Sequence, residues 1–468
     1  MAVLSERPLA ICLIPSMTND LPSTERLNRL AKAIMQRHRV GYREALELLA
    51  SFRLYIAANP DTISLTQYQA ALLTAVNTGK RAFLGGVTVD LRAQVSCVLP
   101  GWQGKPLGEV VASLGGTVST QPPPDARRLG IGVATETELN VVADGWRVGL
   151  LVPQAFSPLD PVDAMPLAGI LGAGLGVGRL FMDCAGISLL DPDPTFGLSL
   201  WAPEMPWLSA AATGPELARL PAKLWLLGLG HLGQAYLWIL GLLPFPQDGS
   251  ATFFLQDYDH ITEGNRCAGL LCEESNLGEH KTRACARWIE KRGVKTVLIE
   301  RAFDEMTRSE LDEPRVALCG FDSASGRRLL ENAKFDLVVE CSLGASLDHF
   351  DRLMLHTFPE ATKRPDRIWS QEEPVATDFD PALFGPKPND EKCGVLVEQL
   401  AKKPISASFV GAAAAAFVVA ELLRGLHGGQ RYELIHFHLR SDLSLRAAAK
   451  AELYPRRHAR NGVLPRAA

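Results

Sequence analysis

LWLLGLGHLGQAYLWILGLLPF, residues 224–245, is the stretch on which the fold turns. Its 22 residues contain no Asp, Glu, Lys or Arg and are long enough to cross a bilayer. Against a span stand His231 and Gln234 in its middle and the glycines that interrupt it, and the segment divides instead into a strand, a turn and a helix. Gly228, Gly230 and Gly233 make a G-x-G-x-x-G set at the turn. Each has its own reason to be glycine. The first permits a tight turn, the second lets backbone approach a phosphate, and the third seats helix on strand. The free N–H groups at the helix start then attract an anion, so the segment is expected to hold a nucleotide.

The next strand, ATFFLQDYD, ends on Asp257 and Asp259, about where an acidic residue meets ribose hydroxyls. To this point a nicotinamide or flavin enzyme fits equally well. The residues downstream favour another chemistry. Asn265 and Arg266 lie within seven residues of Asp259, Lys281 sits at the start of a helix in LGEHKTRAC, and Asp322 ends the strand of RVALCGFDSASGRR. Hydride transfer needs none of these cations beside a pyrophosphate. Splitting ATP does, because charge builds on the α-phosphate and on the departing pyrophosphate, and Arg, Lys and magnesium-bound Asp stabilise it.

Outward from this motif, 468 residues exceed a single core, so two packed units are expected. Residues 22–58 read as helical, opening on a Ser23/Thr24 cap signal. From about 80 to 155 the pattern is strand-like, in RAFLGGVTVDL, RLGIGVATE and WRVGLLVP. The proline-rich DPDPTFGLSLWAPEMPW reads as the linker between halves. Strands and helices then alternate from KLWLLG to FDLVVECS, which argues for a parallel, doubly wound α/β sheet. PLAGILGAGLGVGRLF (166–181) and FVGAAAAAFVVAELL (409–423) also overlay, Gly169 on Gly411, Val177 on Val419 and Leu180 on Leu422. Either these are unrelated small-residue helices or they mark two copies of one half-fold. The second is alanine-rich and contains Glu421, which reads as a buried helix and not a span.

Composition is that of an ordinary globular protein, and a net charge of −4 shows no basic excess to attract nucleic acid. No membrane partner is expected. Nine scattered cysteines, without CxxC, read as thiols of a reducing compartment, and the N-terminal apolar run is short and broken by proline. A cytoplasmic location is expected.

GLGHLG, QDYDHITEGNR, LGEHK and CGFDSASGRR, in that order, resemble the ThiF, MoeB and ubiquitin-activating enzyme family over residues 215–440. The resemblance implies a Rossmann-like adenylation domain using ATP and magnesium. In it Asp257 and Asp259 serve ribose and metal, Arg266 and Lys281 hold phosphates, and Asp322 holds magnesium. The family usually reads DxDxVxxSNLNRQ; DYDHITEGNRC is two residues shorter before the arginine, so Asn265 fills the place of either family asparagine. Relatives with structural zinc carry paired CxxC motifs, so the lack of them here argues against structural zinc.

The resemblance further implies that the C-terminal carboxylate of a ubiquitin-like protein is adenylated. In thioester-forming relatives a cysteine before a late alanine-rich helix then takes the acyl group and passes it to a conjugating enzyme. Cys393, in DEKCGVLVEQLAKKPISASFVGA, holds that place, with Lys392, Lys402 and Lys403 nearby in sequence to lower a thiol pKa. Cys267 and Cys272 are second candidates, while Cys319 and Cys341 lie in apolar strands. Relatives that stop at the adenylate and feed a sulfur carrier, and a nicotinamide oxidoreductase, remain as alternatives.

The division expected is an inactive adenylation-like half (1–205), an active ATP-binding domain with the cysteine crossover segment (206–440) and a flexible tail (441–468). The halves would form an internal pseudo-dimer; single-half relatives form homodimers, so a homodimer stays open. An arginine of the first half is expected to reach the site, from among Arg37, Arg39, Arg43 and Arg53. The chain looks most like bacterial ubiquitin-activating enzymes encoded in antiphage operons. His436 and His438 alternate in YELIHFHLR and share one face, read as solvated or partner-contacting more readily than as a metal pair.

Overall fold

A computed structural model describes residues 28–153, 157–162, 165–187, 195–359, 364–370, 400, 403–440, 446–453 and 462–466. The first half runs α1 (Arg29–His38), α2 (Tyr42–Ser51), β1 (Leu54–Ala58), α3 (Thr66–Ala82), β2 (Val87–Asp90), α4 (Leu107–Ser113), β3 (Thr117–Val118), β4 (Arg127–Ile131), β5 (Leu139–Asp144), β6 (Arg147–Leu151), α5 (Leu167–Cys184) and β7 (Thr195–Ser199). The second runs β8 (Leu220–Pro221), β9 (Lys223–Leu227), α6 (His231–Leu242), β10 (Ala251–Gln256), α7 (Glu263–Arg266), α8 (Lys281–Glu290), β11 (Val294–Ile299), β12 (Val316–Cys319), α9 (Ala324–Arg328), β13 (Leu337–Leu343), β14 (Arg352–Phe358), α10 (Pro365–Ile368), α11 (Ser408–Leu426), β15 (Gln430–His438), β16 (Arg446–Leu453) and β17 (Gly462–Val463).

The two sheets share one plan. The first has strand order β3-β2-β1-β4-β5-β6-β7 and the second β11-β10-β9-β12-β13-β14-β15-β16. In each, five strands pair in parallel and the following strands pair antiparallel. Strands covered on both faces read as continuous apolar runs, which is why Leu224 to Leu227 carry no alternation and are all buried.

The helix echo has a structural meaning. α5 joins β6 to β7 and α11 joins β14 to β15, the same place in the two sheets. Gly169 lets α5 approach the start of α3, where an added Cβ would lie 2.8 Å from the Gln67 carbonyl carbon. Gly411 does the same for α11 at the start of α6, with a Cβ 2.8 Å from His231 Cδ2. The two helices also pack on each other: a Cβ on Gly174 would meet the Phe409 carbonyl oxygen at 2.9 Å, and one on Gly178 the Phe409 ring at 2.9 Å. Both are apolar and long enough to cross a membrane, yet 89% and 100% of their residues are buried inside the protein. One apolar core therefore runs through both halves.

Four expectations are corrected. The helical stretch ends at Ser51, because Leu54, Tyr55 and Ile56 are buried in succession between β2 and β4, and strand pairing overrides the local helical period. The proline-rich linker contains β7, an edge strand of the first sheet whose Gly197 faces Gly149 under the ring of Trp207. The second sheet is not wholly parallel, since β14 to β16 run antiparallel. The tail expected to be flexible after Ser441 supplies β16, paired with β15, and β17, paired with β8. Backbone pairing at a sheet edge needs no apolar side chains, so composition did not reveal it.

Candidate functional site

The glycine turn is built as its spacing demands. Gly228 adopts φ +81° and packs on Gly320 and Phe321, where a Cβ would be 3.0 Å from the Phe321 ring. A Cβ on Gly233 would lie 2.9 Å from the Gly228 carbonyl carbon, and the carbonyl oxygen is closer still. Gly230 has nothing within 4 Å of its missing Cβ, so its backbone faces open space. Beyond the turn lies a cavity of about 610 Å³, within the usual range for a ligand site.

Asp257 fixes the turn. One carboxylate oxygen accepts from the Leu229 N–H at 2.6 Å, the other from the Asp259 N–H at 2.8 Å. Lys281, 6% exposed at the start of α8, donates to Asp259 at 2.7 Å and stands 3.8 Å from Asp257. A buried ammonium held on the cavity wall by two carboxylates is fixed in place before any ligand arrives, so its flexible side chain need not be ordered on binding. Asn265 closes a capping box on α7, its Oδ1 accepting from the Thr262 N–H and hydroxyl at 2.8 and 2.9 Å, and Asp322 lies exposed on the rim. Gly228, Gly230, Asp257, Asp259, Asn265, Lys281 and Asp322 all line the cavity, with Gly233 directly behind the turn. Asp259 and Asp322 belong to no cluster of three or more metal-type side chains among the described residues.

Arg266 is placed differently. It does not line the cavity, and its guanidinium is held by Glu263 at 2.8 Å and Glu274 at 3.5 Å. Glu263 sits three residues earlier on the same turn of α7 and captures it. One cation the sequence missed is Arg29, at the start of α1 in the first half. It lines the cavity, and its Nε is enclosed with no hydrogen-bond partner among the described residues. Asn28 caps α1 through the Leu30 N–H at 2.9 Å, and Lys32 donates to the Lys403 carbonyl at 3.0 Å, so α1 is strapped beside the segment leading to α11. The candidates Arg37, Arg39, Arg43 and Arg53 lie elsewhere: Arg37 donates to the Gly186 carbonyl, Arg39 ends α1, Arg43 pairs with Glu47 and Arg53 donates to the Ser51 carbonyl. A helix cap at Asn28 was the available signal for Arg29, and the Ser23/Thr24 signal upstream competes with it. Arg301, Arg327 and Lys403 also line the cavity.

His231, the third residue after Gly228, faces the cavity and places Nδ1 2.8 Å from the Ser406 hydroxyl. Burial and the neighbouring Arg29 charge push its pKa down to about 3, so the ring is neutral. Cys267 and Cys272 are buried beside the site, one against the Gly264 carbonyl and one against Gln234 Oε1, and burial raises both thiols. Neither is a ready thiolate. Cys319 and Cys341 are buried in strands, as expected. Cys393 lies outside the described residues. His436 and His438 face each other, Nε2 to Nε2, at 3.1 Å.

The matching corner of the first sheet is built from different residues. After β1, where the second half has its glycines, Asn59 and Thr62 crowd Gly132, and a Cβ there would lie 2.5 Å from the Thr62 hydroxyl and 2.8 Å from Asn59 Cβ. Asp90, closing β2 as Asp257 follows β10, is held by the Tyr55 hydroxyl at 2.9 Å and Arg92 at 3.0 Å.

Residues 53–200 match the family model described as the BilD N-terminal domain, and residues 220–429 that of the BilD C-terminal domain. The chain is 36% identical over 419 residues to the bacterial E1-like protein BilD of Collimonas sp. (strain OK412), covering 87% of this chain and 90% of that one. It also matches the crystal structure of E. coli MccB at 13% identity with a TM-score of 0.34, covering 68% of this chain and 93% of that one.

Proposed function

Because this chain belongs to the BilD family, of which a relative is described as a bacterial E1-like protein, we propose that it uses ATP to adenylate the C-terminal carboxylate of a ubiquitin-like protein. The observation that carries the reading is convergence: the glycine turn, the Asp257–Lys281–Asp259 set, Asp322 and an arginine from the other half line one cavity. ATP fits these residues, since Gly230 leaves the backbone open to a phosphate and the cationic side chains outnumber the acidic ones on the wall.

In the proposed reaction a carboxylate oxygen attacks the α-phosphorus, and the bond from that phosphorus to the departing pyrophosphate breaks with its electron pair. N–H groups at Gly230 and the first turn of α6 hold phosphate oxygens. Lys281 and Arg29 stabilise the charge that grows as the bond breaks, an effect strongest for preset donors in a water-poor site. Asp257 keeps the turn and Lys281 in register. Asp322, with Asp259, would hold magnesium, which neutralises charge on the leaving pyrophosphate.

We further propose that the Cys393 thiolate attacks the acyl carbon, releasing AMP and forming a thioester for a conjugating enzyme, in the cytoplasm. The burial and raised pKa of Cys267 and Cys272 support Cys393 over both. Exchange of labelled pyrophosphate into ATP, dependent on an added ubiquitin-like protein, tests the first step. Absence of exchange, with NAD but not ATP raising the melting temperature, would refute it. Cys393→Ser is expected to trap an oxyester-linked partner; unchanged product formation by that variant removes the thioester and leaves an enzyme that stops at the adenylate.

A further inference from the structure

Gly269 lines the cavity, and the backbone from it to Cys272 is gripped from both halves. From the first half, Arg81 of α3 donates through Nε to the Gly269 carbonyl at 3.2 Å and through a terminal nitrogen to the Cys272 carbonyl at 3.0 Å. Asn77, one turn earlier, donates to the Leu270 carbonyl at 3.1 Å. The other terminal nitrogen of Arg81 returns to the backbone and side-chain oxygens of Asn77, so the two side chains brace each other. From the second half, Gln234 of α6 accepts from the Leu271 N–H at 3.1 Å and the Cys272 thiol at 3.2 Å, and donates to the Leu229 carbonyl inside the glycine turn at 3.0 Å. Residues 269–272 are thus tied on one side to α3 and on the other to the turn.

Arg81 is 5% exposed and does not line the cavity. Its charge is met by Glu273 at 3.3 Å, which Lys80 also holds at 2.8 Å. Neutral donors would satisfy these carbonyls without burying a charge. A planar fork adds fixed spacing between several acceptors at once. We propose that Arg81 is a positioning residue through which the first half sets the geometry of the nucleotide site: it fixes the 269–272 segment, and Gln234 passes that placement to the glycine turn. The clamp stands on these hydrogen bonds alone, while its effect on ATP rests on the adenylation reading above.

Two measurements on full-length protein separate them. Hydrogen exchange in a peptide covering 267–274 should quicken about tenfold in Arg81→Ala, as local unfolding becomes easier. ATP affinity by calorimetry should weaken by about tenfold or more, as expected of a misplaced site. Millimolar ethylguanidinium should restore both, because it refills the cavity with the missing fork; ethylurea, which fills the same space with an acceptor oxygen in place of a donor nitrogen, should restore neither, whereas rescue by both would show a loss of packing alone. If Arg81→Ala does not fold, Arg81→Lys, which keeps the charge and loses the fork, is expected to show the same two changes in smaller measure. Arg283→Ala on α8, which breaks the exposed pair with Glu300, is expected to change neither by more than about twofold. Unaltered exchange in 267–274 overturns the clamp. Faster exchange with unaltered ATP affinity overturns the positioning role. Lack of ATP binding by the unsubstituted protein overturns the adenylation reading and leaves the exchange result to judge the clamp.

Discussion

Gly233→Ala and Gly230→Ala form a pair in which one added methyl has opposite consequences. At Gly233 the new carbon would sit 2.9 Å from the Gly228 carbonyl carbon, against an ordinary carbon–carbon contact of about 3.5–4.0 Å. The neighbour is backbone, so no side chain can rotate away, and the turn must open by about 1 Å. Crowding of this kind costs about 1–3 kcal/mol, offset by about 1 kcal/mol from the better helix propensity of alanine. The melting temperature should therefore fall only modestly. Function should suffer more, because a displacement of about 1 Å at a reacting centre costs about a hundredfold in rate. At Gly230 the methyl meets nothing within 4 Å, so the ligand-free protein should melt at its usual temperature while ATP binding is lost to a clash with the phosphate. The assay is thermal denaturation with and without magnesium ATP, followed by pyrophosphate exchange. If Gly230→Ala binds ATP normally, backbone does not contact phosphate at that position and the role assigned to the turn is wrong.

Arg29→Ala should slow pyrophosphate exchange by about a hundredfold or more with little change in the KM for ATP, as for other donors that act on transition-state charge; equal kcat in both proteins refutes its role. Asp257→Ala leaves the Leu229 N–H without its acceptor and Lys281 with one carboxylate in place of two. A loss of about 1–3 kcal/mol is expected from the unpaired donor, read by denaturant titration together with weaker ATP binding. Protonation of His231 is linked to folding. Its folded pKa of about 3 lies below the unfolded value, so between those pH values the unfolded chain binds more protons and stability rises with pH. The stabilisation is complete above the unfolded pKa and is lost as pH falls towards 3. His231→Gln should lose less melting temperature than the parent between pH 7 and pH 5; identical slopes would show that the ring is not held neutral.

The second half was legible because its chemistry sits at strand ends in chain order. Gly228, Gly230, Asp257, Asp259, Lys281 and Asp322 fall where parallel strands deliver them, and the local spacing carries that information. Arg266 sits outside the cavity lining because an acidic residue one turn away holds it, a choice that motif order does not encode. Arg29 and Arg81 were illegible for a different reason: they reach the cavity wall and the 269–272 backbone from another half, across a helix interface whose register no single segment specifies. Strand β1 was lost for the same cause, since its partners lie far along the chain.

The unlike corners of the two sheets, Asn59 and Thr62 beside Gly132 in one and the glycine turn in the other, give the molecule a handedness of use. Two equal halves would each have to serve as both workplace and buttress, and every substitution would be felt twice. Here one side can specialise in support and the other in chemistry. The expected behaviour is saturation by a single nucleotide per polypeptide, hyperbolic and without sigmoidicity, because the turn after β1, Asn59-Pro60-Asp61-Thr62, has no glycines to answer those of the second half.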